Sequence, residues 1–78
     1  MRKPIGTANG LRSLREAQGL QQADVASTLH ITPSAISHFE RGKRRVTLER
    51  AADFARIYQC TIQDIFYAVK GDAASTQG

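Results

Sequence analysis

The sequence predicts a single all-α domain of about five short helices, and three observations favour this fold class. Apolar residues recur at helical spacing in five successive segments, whereas the strict alternation typical of a strand is hard to find. Residues that commonly begin or end helices separate these segments. The chain has 78 residues, 41% of them hydrophobic. The hydrophobic content is enough for one packed core, and the chain is too short for a second domain of ordinary size.

The first two helices are predicted from apolar stripes in the N-terminal half of the chain. The stripe of the first helix consists of Leu11, Leu14 and Ala17. Gly19 stands where a left-handed residue would end that helix. The stripe of the second helix consists of Val25, Ala26 and Leu29. A short interruption after Leu29 predicts a tight turn into a third helix.

The third helix is predicted to begin at Pro33 and to run to Glu40 or Arg41, where Gly42 ends it. Thr32 precedes it and is a good N-cap, because a threonine oxygen accepts a hydrogen bond from a backbone N–H of the first turn. Proline suits the first helical position, since the N–H it lacks would have no partner inside the helix.

Two further helices are predicted after residue 46. Thr47 caps the fourth. The apolar stripe of that helix consists of Leu48, Ala51, Ala55 and Tyr58, with Phe54 and Ile57 beside it. Thr61 caps the fifth, with Asp64 as its capping-box partner. We expect an N-terminal arm over residues 1–8, one domain over residues 9–70, and a fraying, flexible tail over residues 71–78.

Composition excludes several classes of protein. The single cysteine, Cys60, allows no intrachain disulfide, and one cysteine with two histidines in separate segments is a poor metal-binding set. We therefore expect no metal and no cofactor. The basic N-terminus is not followed by an apolar run, so we expect no signal peptide. No stretch approaches the roughly 20 apolar residues that span a bilayer, so no membrane association is expected.

The excess positive charge is concentrated in one segment. Lys and Arg number 11 and Asp and Glu number 7, which leaves a formal net charge of +4. Four of the basic residues lie in the segment RGKRR at residues 41–45, which we call the basic loop, and without them 7 basic residues balance 7 acidic ones. A concentrated basic patch suits nucleic acid, anionic lipid or an acidic protein.

The third helix favours nucleic acid among these partners. Its apolar residues Ala35, Ile36 and Phe39 can face the core. One polar face remains, formed by Ser34, Ser37, His38 and Arg41. Because most of these side chains are short, the helix can approach a surface closely. A helix in the major groove, with the basic loop on flanking phosphates, would use both features.

The chain also resembles a known family. The residues that carry the resemblance are the runs LRSLR at 11–15, QADVA at 22–26 and ERGKR at 40–44, with Leu29, Ile36, Ser37 and residues 48–55 and 64–66. They resemble the helix-turn-helix proteins of the phage Cro/repressor family, also called the XRE family, over roughly residues 9–66. The resemblance implies a lambda-repressor-like fold, with the helix-turn-helix at helices 2 and 3. It also implies a homodimer that binds a palindromic operator.

The resemblance assigns roles to individual residues. It implies base contacts from Thr32, Ser34, Ser37 and His38. It implies phosphate contacts from Gln22, Arg41, Lys43, Arg44 and Arg45. It also implies an internal ion pair between Arg15 and Glu40. Three residues depart from the family pattern: His30 replaces a usual glycine, Gln21 a usual Thr or Ser cap, and Val46 a common proline after the basic loop.

The expected function is therefore a small bacterial or phage transcriptional regulator, cytoplasmic and associated with the nucleoid. Repression by occlusion of a promoter is the simplest mechanism. The alternative is an antitoxin or adaptor of a toxin–antitoxin-like pair, with residues 67–78 docking a protein partner. An enzyme is not expected: Ser34, Ser37 and His38 lie close together, but no acidic residue beside them is suitably placed to orient the histidine.

The fifth helix carries more apolar residues than a short helix needs to close a core. Its candidate interface residues are Ile62, Phe66, Tyr67 and Val69. The surplus either forms the dimer interface or packs inside a monomer. Both readings stay open from the sequence.

Overall fold

The computed structural model describes residues 10–77, with side chains for residues 10–70, and contains five helices and no strand in that range. In chain order the helices are α1 (Gly10–Ala17), α2 (Gln22–Leu29), α3 (Pro33–Glu40), α4 (Leu48–Tyr58) and α5 (Ile62–Gln77). The prediction of a small all-α fold of five helices is confirmed. The predicted N-terminal arm at residues 1–8 lies outside the described residues.

Each of the first four helices is followed, within two residues, by a residue in the left-handed region of φ and ψ. These residues are Gly19, His30, Gly42 and Gln59, with φ of 71°, 60°, 76° and 58°. In each case the next backbone N–H donates to a carbonyl five residues back, as from Ile31 to Ala26 at 3.0 Å. This is the Schellman arrangement, which satisfies free carbonyls and turns the chain sharply. Sequence reasoning anticipated Gly19, His30 and Gly42 but not Gln59.

Threonine side chains begin three of the helices, as predicted. The Oγ1 atoms of Thr32 and Thr47 accept backbone hydrogen bonds at 3.1 Å, and Thr61 forms a reciprocal capping box with Asp64. At α2, where Gln21 replaces the usual Thr or Ser cap, the side chain of Asp24 stabilises the start of the helix. The Asp24 carboxylate accepts a hydrogen bond from the Gln21 backbone N–H at 2.7 Å. An acidic side chain there also interacts favourably with the positive end of the helix dipole.

The core lies between the helices around Phe54, which is 1% exposed. The Phe54 ring meets Phe39 edge-on at 5.4 Å and stacks on Tyr58 at 5.6 Å. Burial raises the pKa of Tyr58, and the negative charge of Glu40 raises it further. The predicted core residues Ala26, Ile36 and Phe39 are all buried.

Leu48 corrects the predicted apolar stripe of α4. It is 66% exposed, whereas Ala51, Ala55 and Tyr58 are buried. Leu48 is the first residue of α4, one turn before Ala51, and no described element covers it there. Helical periodicity alone places both residues on one face, but burial depends on how far the neighbouring helices extend.

The C-terminal helix also differs from its prediction. The backbone stays helical from Ile62 through Gly71 to Gln77, so α5 does not end before Gly71. One glycine inside a helical segment costs about 1 kcal/mol relative to alanine but does not by itself end the helix. The flexibility expected for residues 71–78 stays a prediction. None of the helices in the described range combines the length and apolarity needed to cross a membrane.

The N-terminus of α1 lies directly against α5. A Cβ atom placed on Gly10 would lie 2.8 Å from the Cα and the carbonyl carbon of Ala68, closer than real Cβ atoms approach, and would also meet the Ala68 carbonyl oxygen. The absence of a side chain at position 10 therefore permits this packing of α1 on α5.

Candidate nucleic-acid interface

The residues predicted to contact bases lie on or just before α3, opposite its buried residues Ala35, Ile36 and Phe39. Thr32 and Ser34 are exposed, and Ser37 and His38 are half-buried. The Thr32 oxygen accepts the N-cap hydrogen bond from Ala35. Its hydroxyl hydrogen stays available to a base or phosphate acceptor.

The basic loop is folded back onto the C-terminus of α3. The backbone N–H groups of Lys43 and Arg44 both donate to the His38 carbonyl oxygen, at 2.9 and 3.3 Å. At its far end Val46, where the family commonly has proline, is only 6% exposed and belongs to the core. Both ends of the loop are therefore anchored, while all four of its basic side chains are exposed.

Arg44 differs from the other loop cations in having an aromatic partner. Its guanidinium carbon lies 5.6 Å from the centre of the Phe39 ring, which is held in turn by Phe54. A guanidinium over a ring face is attracted by the π electrons. This contact reduces the freedom of Arg44 and holds its charge beside α3.

A buried ion pair ties α1 to α3. Arg15 Nε lies 2.6 Å from Glu40 Oε2, and the two side chains are 8% and 6% exposed. Arg15 Nη1 also donates to the Leu20 carbonyl oxygen at 2.9 Å. The hydrogen bond to Glu40 raises the pKa of Arg15. The pair that the resemblance implies is thus present, and its charges compensate each other beneath the surface.

Gln22 joins this pair rather than facing solvent with its whole side chain. Its amide nitrogen donates to Glu40 Oε1 at 3.1 Å. Glu40 on α3 therefore holds groups from both α1 and α2. The backbone N–H of Gln22 is therefore the group best placed for the predicted phosphate contact. It lies in the first turn of α2 and has no partner within that helix.

A groove runs between α1, the N-terminal end of α2 and one face of α3; we call it the α1–α3 groove. The side chains that line it include Arg12, Gln22, Pro33, Ser37, Glu40 and Arg41. It brings together Ser37, Gln22 and Arg41, which sequence reasoning had placed on the DNA-facing surface. It also adds Arg12, which sequence reasoning missed, because an arginine four residues before a glutamate reads as an ordinary exposed pair on a helix.

The comparisons with known proteins agree with this arrangement. A helix-turn-helix family model matches residues 11–65. The HTH-type transcriptional regulator DdrOP3 of Deinococcus deserti is 32% identical over 68 residues, which cover 87% of this chain and 53% of that protein. The chain thus spans about half the length of that relative. No solved structure matches the chain. From the family match and the arrangement of α2 and α3, the chain belongs to the helix-turn-helix family of the Cro/repressor, or XRE, type.

Proposed function

We propose that this protein is a transcriptional regulator that binds double-stranded DNA in a sequence-specific manner. The observation that carries the proposal is the continuity of two surfaces. The exposed polar face of α3 passes directly into the basic loop, which holds the chain's whole excess charge. A relative that shares the domain carries the name of a transcriptional regulator.

In this proposal α3 enters the major groove and the loop contacts the backbone. Thr32, Ser34, Ser37 and His38 read base edges with short hydroxyl and imidazole groups. The phosphate contacts come from Arg41, Lys43, Arg44 and Arg45, and from Gln22 at the start of α2. The ion pair of Arg15 and Glu40 holds the reading helix at a fixed angle to the rest of the domain. Binding over a promoter would repress transcription by exclusion.

Selection of bound sequences from a random duplex library tests the proposal. We expect a defined palindromic site with half-sites about 34 Å apart, one turn of DNA. Ser37→Ala and His38→Ala shift the preference at particular bases, because they remove groups that contact base edges. Arg44→Ala weakens binding to all sequences about equally, because a phosphate contact carries no sequence information.

The dependence of affinity on salt, measured by titration with the selected duplex, provides a second test. If each subunit neutralises about three to five phosphates, log K falls against log salt with a slope of about −5 to −9. A slope near zero with the selected duplex, or no enriched sequence at all, would contradict the proposal.

The proposed dimer is formed through α5. Ile62 and Phe66 are each 38% exposed and Tyr67 is 63% exposed, so together they present an apolar surface. Val69, also predicted at the interface, instead packs partly buried against the core. We therefore centre the proposed interface on the exposed residues Phe66 and Tyr67.

Analytical ultracentrifugation of Tyr67→Asp tests this interface. We expect a folded monomer, because a charge on an exposed contact residue opposes association without disturbing the core. Leu48→Asp is the matched control, since Leu48 is equally exposed but lies on α4. A wild-type monomer at micromolar concentration, or a dimer of Tyr67→Asp as tight as wild type, would contradict the interface.

The same exposed apolar residues of α5 support a second candidate function. An antitoxin or adaptor would use this surface, with residues 67–78, to hold a protein partner. A stable heteromeric complex with the product of a neighbouring reading frame on co-expression would favour it. A homodimer that does not bind the co-expressed product would favour a regulator that acts without a protein partner.

A further inference from the structure

Arg12 is an exposed cation on α1 that lines the α1–α3 groove. Across the groove lies Arg41, also exposed, on the C-terminal side of α3. The other charged lining residues, Arg15 and Glu40, are buried and compensate each other. The charge that the groove presents to solvent therefore comes from one arginine on each side.

The partner of Arg12 in the free protein holds it weakly. Arg12 Nε lies 3.0 Å from Glu16 Oε2, but the two side chains are 55% and 53% exposed. Ion pairs this exposed contribute little, because water and salt screen them. A phosphate would therefore compete readily for the guanidinium, which binds phosphate oxygens through two parallel hydrogen bonds.

The groove adjoins the surface that the proposed function assigns to DNA. Ser37, a proposed base contact, and Gln22, a proposed phosphate contact, line the same concavity as Arg12. With Ser37 at a base edge and Arg41 at the backbone, the groove faces the sugar-phosphate strand that flanks the major groove.

We propose that Arg12 binds a backbone phosphate of the duplex in the α1–α3 groove, exchanging Glu16 for the phosphate. This inference rests on the proposed function and extends it, because it adds α1 to the DNA-binding surface. Phosphate contacts would then come from two sides of the reading helix, the basic loop on one side and α1 on the other. Phosphate contacts on both sides would fix the angle at which α3 lies in the major groove of the DNA.

The test compares Arg12→Gln with Arg56→Gln on the duplex selected by the wild-type protein. Arg56 is a matched control because it is exposed, lies 3.2 Å from Asp53 in a similar pair, and belongs to α4. Both variants lose one positive charge. We expect Arg12→Gln to weaken binding about tenfold and to make the salt slope less negative by about 0.9 per subunit. Arg56→Gln should change affinity less than about twofold and leave the slope unchanged.

The Glu16→Gln variant provides an independent test of the same proposal. Removing the competing carboxylate should tighten DNA binding several-fold in the wild-type background and have no such effect when Arg12 is already Gln. Asp53→Asn is the control for the accompanying charge change, because it removes a carboxylate from α4, where it pairs with Arg50 and Arg56 away from the α1–α3 groove. Far-UV circular dichroism should show wild-type helix content for all of these variants, because none of the substituted side chains is fully buried.

The outcomes separate this inference from the function on which it rests. If the wild-type protein selects a sequence with a steep salt slope and Arg12→Gln behaves like Arg56→Gln, the role of Arg12 is wrong and the proposed function stands. If the wild-type protein selects no sequence, the proposed function and the role of Arg12 fall together. A slope that changes only in Arg12→Gln supports both.

Discussion

Replacing Glu40 with alanine should unfold the domain or lower its free energy of unfolding by about 3–5 kcal/mol, a large share of the total stability of a small domain. The reason is the environment of Arg15, whose side chain is only 8% exposed and whose Nε lies 2.6 Å from the Glu40 carboxylate. Without Glu40 the guanidinium is a buried charge with no counter-ion, and the Gln22 amide loses its acceptor. Urea denaturation followed by circular dichroism measures the effect.

Two control variants separate burial from charge in this prediction. Glu16→Ala also removes a carboxylate from an arginine, but that pair is exposed, so we expect a loss below about 1 kcal/mol. The double variant Arg15→Met/Glu40→Leu should be more stable than Glu40→Ala, because it leaves no uncompensated charge. A Glu40→Ala protein with wild-type stability and impaired DNA binding would instead place Glu40 in the interface.

Gly10→Ala should destabilise the domain by about 1–3 kcal/mol, the usual cost of forcing an extra group into a packed contact. Alanine is the better helix former, so helix propensity alone predicts a gain of up to about 1 kcal/mol at this position. The contact with α5 reverses the sign, since the new Cβ would lie 2.8 Å from the Ala68 Cα. Either α1 shifts away from α5 or their contact is lost. The midpoint of thermal unfolding should fall by several degrees.

The controls for Gly10→Ala use the other side of the contact and a second glycine. Ala68→Gly should not rescue it, because the atoms in conflict belong to the Ala68 backbone. Gly19→Ala creates no such contact, although its φ of 71° makes alanine strained by about 1–2 kcal/mol there. A Gly10→Ala protein as stable as wild type would mean that the start of α1 and the middle of α5 move apart easily.

Most of the secondary structure could be predicted because its signals are local. A threonine N-cap bonds a backbone N–H three residues on, and a left-handed residue closes a helix through neighbouring carbonyls. These interactions are contained within a few residues of the sequence. Gln59 shows the limit of such signals, because it adopts a left-handed φ of 58° although glutamine is not a usual left-handed residue.

Burial was predicted less well than helix position. Leu48 and Ala51 share one helical face, yet one is 66% exposed and the other fully buried. On α5, Val69 is partly buried against the core, whereas Phe66 and Tyr67, three and two residues earlier, are exposed. Periodicity identifies the apolar side of a helix. It does not indicate which length of that side another helix covers.

The polar face of α3 and the basic loop could be found from residue type and spacing, and the family resemblance pointed to the pairing of Arg15 with Glu40. The side-chain direction of Gln22 could not, because it depends on a carboxylate 18 residues away. Nor could the position of Arg12 in the α1–α3 groove, which needs the angle between three helices.

The sequence by itself determined the number of helices, most of their limits and the concentration of charge in one loop, because caps, left-handed residues and charge patterns act over a few residues. Only the tertiary structure showed that α5 packs directly against Gly10. It also showed that Glu40 accepts hydrogen bonds from both Arg15 and Gln22, and that Arg12 lines the same groove as Ser37. These are contacts between residues far apart in the chain. Such contacts depend on how the helices pack, which no short segment of the sequence encodes.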